Sequence, residues 1–133
     1  MSTPPPGAPL PVMIVDDDPG ALSSLRFLLE SEGYEVRAFA SGPELLASLP
    51  AGEVTCLIID FKMPEMDGLA VFRCLRDRQM DAPVIVVTGH PDPGIADRVT
   101  AAGLRLIEKP LSQDMLLNAV RAVRAGGTFE ADR

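Results

Sequence analysis

Five short apolar runs, each followed by a stretch of helical periodicity, constrain this chain more than any other feature. The runs are Val12–Val15, Val36–Phe39, Val54–Ile59, Val84–Val87 and Leu104–Ile107. They are rich in β-branched residues and nearly continuous rather than alternating. Strands buried on both faces read this way, as in a parallel sheet covered by helices. Between them the apolar period lengthens to 3.6. Leu22, Leu25 and Leu29 share one face, with Leu28 beside them. Leu69, Phe72 and Leu75 share another, and Leu116, Val120 and Val123 a third.

Punctuation supports the same division. Asp18-Pro19 and Asp92-Pro93 each set an N-cap acceptor before a proline at the first helical position. Ser41-Gly-Pro-Glu44 has the pattern of a capping box, and Ser112 is placed to cap the last helix. Gly33, Gly103 and Gly126 stand just past the first, fourth and fifth helical segments. The pattern predicts a three-layer, doubly wound (βα)5 domain of the α/β class.

With 133 residues the chain is long enough for one such core and too short for two. Residues 1–10 form a proline-rich arm, expected to be disordered or polyproline-like; 11–125 form the domain; 126–133 read as a flexible tail. Twelve basic against nineteen acidic residues give a net charge of −7, which argues against direct nucleic-acid or anionic-membrane binding. No apolar run approaches the roughly 18–20 residues of a membrane span. The first residues lack a basic region and an apolar core, so the expected compartment is the cytoplasm. Cys56 and Cys74 are too few for a disulfide framework and lack metal-site spacing; Cys56 is expected in a core strand and Cys74 toward the exposed side of its helix. Met63 and Met66 read as loop packing.

The polar residues cluster at strand ends. Asp16 and Asp17 close the first apolar run, Asp60 the third and Thr88 the fourth, while Lys109 follows the fifth. Ligands of open parallel sheets bind outside the carboxyl ends of the strands, near the topological switch. If the strand order is 2-1-3-4-5, Asp16, Asp17 and Asp60 meet in one crevice. Three close carboxylates need positive charge among them, and Lys109 supplies one unit. A hard divalent cation with oxygen ligands, Mg²⁺ or Mn²⁺, supplies the rest. Asp60 is then placed to attack phosphorus, with the metal removing the repulsion. Thr88 and Lys109 are placed to meet phosphoryl oxygens.

At these residues the sequence resembles the receiver domains of bacterial two-component response regulators. The matching pieces are Met13-Ile-Val-Asp-Asp-Asp18, Leu57-Ile-Ile-Asp-Phe-Lys-Met-Pro-Glu-Met-Asp-Gly68, Val84-Ile-Val-Val-Thr-Gly89 and Ile107-Glu-Lys-Pro110, in the family's order and spacing. The wording around Thr88 and Lys109 is most similar to nitrogen-fixation-type transcriptional regulators. The resemblance implies a flavodoxin-like fold with strand order 2-1-3-4-5. It implies that Asp60 accepts a phosphoryl group from a sensor histidine kinase or phosphotransfer protein. Asp16, Asp17, Asp60 and the Lys62 backbone carbonyl would hold Mg²⁺ or Mn²⁺. Thr88 and Lys109 would sense the phosphoryl group, with Lys109-Pro110 a cis peptide, and Pro64 and Gly68 would shape the loop after the third strand. Lys62 and His90 stand at positions that bear on dephosphorylation, although a solvated loop histidine suits the residues equally well. The output would be a partner protein or a missing output domain, and similar domains form phosphorylation-linked homodimers. The chain would be a self-phosphorylating and self-dephosphorylating switch rather than an enzyme acting on other molecules.

Two departures stand out. Leu106 occupies the position where the family usually carries an aromatic residue that couples to the threonine. Gly89 stands where alanine is frequent. Phosphorylation would bias the segment from Thr88 through a thinly packed fourth helix, Ile95–Ala102.

Two other functions compete. One is the receiver fragment of a longer DNA-binding regulator. The other is a haloacid-dehalogenase-like phosphatase, with Asp16 as nucleophile and Asp18 as acid. Against the phosphatase, Gly20 stands where such enzymes want Thr or Val, and past Lys109 only Asp114 and the tail acids remain for a second acidic pair.

Overall fold

The structure is a computed structural model and describes residues 11–49, 53–89 and 92–124. The arm at 1–10, His90, the last residue of the expected domain at 125 and the tail at 126–133 with its Gly126 therefore lie outside the described residues. Five strands alternate with five helices: β1 (Val12–Val15), α1 (Pro19–Ser31), β2 (Val36–Phe39), α2 (Gly42–Ala47), β3 (Cys56–Asp60), α3 (Gly68–Asp77), β4 (Val84–Thr88), α4 (Pro93–Ala101), β5 (Arg105–Glu108) and α5 (Gln113–Arg124). The sheet is wholly parallel in the order β2-β1-β3-β4-β5. The predicted strand ends shift by one or two residues. β3 begins at Cys56 rather than Val54, and β4 and β5 run on to Thr88 and Glu108.

Alternation along each strand feeds two separate cores. Val12, Ile14, Ile58, Ile85 and Val87 face α1 and α5, where they meet Leu25, Leu29, Leu116 and Val120. Met13, Val15, Leu57, Ile59, Val84 and Val86 face α2, α3 and α4, against Leu45, Leu69, Leu75 and Val99. Cys56 lies in the first core, and burial pushes its thiol up to about 12. Cys74 and Met66 pack at the edge of the second, and Met63 is buried in it. In α3 the buried face is Leu69, Val71 and Leu75; Phe72 is only half-buried, with Arg76 over its ring at 4.6 Å. The expected Leu-Phe-Leu stripe is thus rotated toward Val71, which packs against α2. The helices approach so closely there that a Cβ on Gly42 would stand 2.6 Å from Val71 Cγ2 and 3.3 Å from Met66 Sδ.

The helix starts follow the sequence signals. Asp18, Ser41, Asp67 and Asp92 each accept a first-turn amide, and Ser112 accepts from Met115. The capping box at α2 closes differently from the standard pattern. Ser41 Oγ accepts from Glu44, but the Glu44 carboxylate accepts from the Ala40 amide. Gly33 and Gly103 end α1 and α4 with φ of +91° and +79°, a region open to glycine at no steric cost.

α4 buries Ile95 and Val99, as many side chains as the longer α1 buries with Leu25 and Leu29. Arg98 on its outer side lies 5.3 Å from the centre of the Phe61 ring and 3.5 Å from Asp67. At half-exposed sites such contacts contribute about 0.5–1 kcal/mol each.

Gly68 is required by space, since a Cβ there would meet the Asp60 carbonyl oxygen at 2.9 Å and Phe61 Cα at 3.1 Å. Backbone cannot yield as a flexible side chain does. Gly68→Ala is expected to destabilise the domain by about 2 kcal/mol, the middle of the overpacking range. Gly89 differs: a Cβ would stand 3.8 Å from Lys109 Cδ, ordinary contact. Gly89→Ala is expected to be neutral or to stabilise by up to about 1 kcal/mol through the unfolded chain. Urea unfolding of both variants checks the contrast.

Candidate functional site

Register brings the strand-end residues together. Val15 pairs with Ile59 across β1 and β3, so Asp16 and Asp60 leave neighbouring strands at the same level. Parallel neighbours lie about 4.8 Å apart. Asp60 in turn pairs with Val87, and Thr88 with Glu108, which sets Thr88 and Lys109 beside the same crevice. The chain order reverses between β1 and β3, the switch point of this topology.

The three acidic residues converge. One carboxylate oxygen from each of Asp16, Asp17 and Asp60 lies within 4.8 Å of the others. Asp16 and Asp60 are buried and Asp17 is exposed. Asp16 uses both oxygens: Oδ1 accepts from the Asp18 amide at 2.9 Å and Oδ2 from Lys109 Nζ at 2.7 Å. The same ammonium lies 3.1 Å from Asp60 Oδ1. Lys109 is fixed through its backbone, whose amide donates to the Thr88 carbonyl at 2.8 Å. The Lys109-Pro110 peptide is cis. Thr88 is fully buried at the end of β4. Lys62 is exposed two residues beyond Asp60, and Leu106 is half-buried on the α4 side of the sheet.

Electrostatics explains why this cluster is costly. Burial and the Asp16 charge push the Asp60 carboxyl from 3.8 up to about 6, against the hydrogen bond and charge of Lys109. Burial alone would lower Lys109, but its hydrogen bonds to Asp16 and Asp60 and their charges outweigh that and raise it above 10.5. Lys109 therefore stays cationic at neutral pH. One ammonium still faces three carboxylates within a single shell. A hard cation with oxygen ligands is what this donor set lacks and what it fits. Beside Lys109 a mostly apolar cleft of about 560 Å³ opens, lined by Ala21, Ser24, Leu25, Leu28, Pro110 and Leu111.

All the residues marked in the sequence, Asp16, Asp17, Asp60, Thr88 and Lys109, fall at this end of the sheet. The sequence reading passed over Asp67, although an Asp directly before Gly68 and a helical run is an N-cap signal. It also passed over Arg98 and Phe61, for which no local signal exists: Arg98 meets Asp67 across 31 positions of sequence.

Fold and crevice together define a doubly wound α/β domain with an acidic, cation-competent site at its switch point. The sequence profile of the response regulator receiver domain matches residues 12–121, and the chain belongs to that family. It is 38% identical over 111 residues to the C4-dicarboxylate transport transcriptional regulatory protein DctD of Rhizobium meliloti, covering 83% of this chain and 24% of DctD. It is 30% identical over 125 residues to the transcriptional regulatory protein FixJ of Bradyrhizobium diazoefficiens, covering 90% of this chain and 61% of FixJ. A response regulator receiver domain from Clostridium thermocellum superposes with a TM-score of 0.81 at 27% identity, covering 88% of this chain and 95% of that one. The chain thus spans less than two thirds of the length of either regulator. Membership in the receiver family removes the phosphatase alternative.

The raised Asp60 carboxyl has a definite sign. Between about pH 4 and pH 6 the folded state binds more protons than the unfolded state, so without divalent cation stability falls as pH rises through this window. Asp60→Asn removes that loss. It is expected to raise unfolding free energy at pH 7 by about 2–3 kcal/mol in chelator, at 1.36 kcal/mol per pKa unit. Mg²⁺ is expected to stabilise the wild type and to stabilise Asp60→Asn less. Denaturant titrations at pH 4 and pH 7, with and without Mg²⁺, read both effects.

Proposed function

We propose that Asp60 is the phosphoacceptor of a two-component signalling switch. The observation that carries this is the convergence of Asp16, Asp17 and Asp60 within 4.8 Å, with the Lys109 ammonium bridging Asp16 and Asp60. Asp60 ends β3 at the switch point, buried beside the Lys109 ammonium, where a carboxylate can attack phosphorus while Asp16 and Asp17 share in holding the cation. In that step an Asp60 oxygen forms the new bond to phosphorus, and the bond from phosphorus to the donor nitrogen breaks.

Asp16, Asp17, Asp60 and the Lys62 carbonyl would hold Mg²⁺ or Mn²⁺, which would supply neutralisation of charge on the incoming group. The protein's part is positioning and charge, which phosphoryl transfer chiefly needs. Lys109 pairs with a phosphoryl oxygen as a point charge. Thr88 donates its hydroxyl to another, and the bond from Lys109 to the Thr88 carbonyl makes both respond together. Hydrolysis of the same aspartyl phosphate within the domain returns the switch, and the exposed Lys62, two residues beyond Asp60, stands at a position that bears on it.

The donor is a sensor histidine kinase or a phosphotransfer protein. The apolar cleft beside Lys109 offers it a surface near the acceptor. The likeness to DctD and FixJ supports a chain that is the receiver portion, residues 11–125, of a longer transcriptional regulator, flanked by the arm at 1–10 and the tail at 126–133. DNA contact then belongs to other residues, in keeping with the charge of −7. Among the described residues no helix is long and apolar enough to cross a membrane, and we assign the domain to the cytoplasm with its kinase. Phosphorylation-linked pairing of two copies is a further output of the same switch.

Incubation with phosphoramidate and Mg²⁺ is expected to add one hydroxylamine-sensitive phosphoryl group to the wild type and none to Asp60→Ala. Full labelling of Asp60→Ala, by intact mass and peptide mapping, refutes the assignment. Lys109→Ala is expected to retain some labelling while losing the structural response, read as unchanged amide spectra on labelling.

A further inference from the structure

Arg98 of α4 reaches both ends of the loop that leaves Asp60. Phe61 follows Asp60 directly and is buried, and its backbone is pinned on both sides. Its amide donates to the Val87 carbonyl and its carbonyl accepts from the Gly68 amide, each at 2.8 Å. Gly68 rests against the Asp60 and Phe61 backbone with no room for a Cβ, so the start of α3 cannot shift without them. Asp67, at the same helix start, caps α3 through one oxygen and meets Arg98 Nη2 with the other at 3.5 Å. The Arg98 guanidinium also lies over the Phe61 ring. One cation on α4 therefore touches both ends of the loop spanning 61–67. α4 rests on the sheet through Ile95 and Val99, and β5 presents Leu106, with no ring, on the same side of the sheet.

We propose that Arg98 is the positioning residue that holds α4 in its resting place, by clamping it to Phe61 and Asp67 at the two ends of the loop beyond Asp60. This rests on the reading of Asp60 as phosphoacceptor and adds the route by which the modification reaches α4. A phosphoryl group brings about −1.5 to −2 charges and new acceptor oxygens to the residue next to Phe61. Displacement of the Asp60–Phe61 backbone alters the ring face and the Asp67 carboxylate that Arg98 holds, and releases the helix. A planar guanidinium stacks and pairs at once, which an ammonium does not reproduce.

The test is amide NMR of the whole chain as wild type, Arg98→Ala, Arg98→Lys and Phe61→Leu, each with and without Mg²⁺ and beryllofluoride. Arg98 is exposed, so its variants are expected to fold. In Arg98→Ala without beryllofluoride, the amides of α4 are expected to move along the line joining the two wild-type states. Their hydrogen exchange is expected to quicken at least about fivefold, the lower end of typical coupling. Phe61→Leu is expected to move the same amides the same way, and Arg98→Lys to fall between wild type and Arg98→Ala. A merely structural loss would displace the amides off that line. Such displacement, an unmoved α4, or a wild-type α4 that ignores beryllofluoride overturns the clamp. Phosphoramidate labelling of the wild type separates the two readings. Labelling at Asp60 with any of those results overturns the clamp alone, whereas no labelling overturns the acceptor reading and the clamp with it.

Discussion

Like charge held together is the constraint on which the rest of this structure depends. Two carboxylates 4.8 Å apart repel by roughly 3–4 kcal/mol at the effective dielectric of a protein surface, and three such groups share one shell here. Much of the surrounding architecture makes that arrangement bearable. Parallel pairing of β1 and β3 fixes the spacing. Lys109 enters between Asp16 and Asp60, and its amide is anchored to Thr88. Asp16 accepts from the Asp18 amide at one oxygen and from the ammonium at the other. Burial first, and the Asp16 charge after it, raise the Asp60 carboxyl in spite of Lys109. A bound cation would relieve such a cluster.

The two cores divide the labour. The layer of α1 and α5 closes over the face behind the crevice, with large apolar side chains filling it on both sides of β1 and β3. The opposite layer carries α3, whose start presses on the Asp60 backbone, and α4, which sets Ile95 and Val99 into the core on that side. Leu106, which has no ring, is half-buried on the α4 side.

The fold was legible in the sequence because strands buried on both faces leave continuous apolar runs, and because each break carried its own chemistry at Asp18-Pro19, Ser41 and Asp92-Pro93. The acidic residues were legible for the same reason: an aspartate ending an apolar strand is conspicuous. Boundaries were less so, since Val54 is as apolar as the residues inside β3 and only the ladder excludes it. The turn of α3 toward Val71 depended on the closeness of α2, a tertiary fact. The Glu44 arm of the capping box went to the Ala40 amide, one residue before the cap, a choice that the spacing of Ser41 and Glu44 does not encode. Arg98 was illegible in principle, since an exposed helical arginine looks the same whether or not a ring and an acid from another element await it.

The seam between α2 and α3 carries a consequence for the domain's history. Where Gly42 faces Val71 and Met66, the two segments interlock without slack. Neither side can be exchanged freely between relatives, because a methyl group gained on one demands volume surrendered by the other. Recombination that splits the chain between residues 42 and 66 separates partners that must be inherited together.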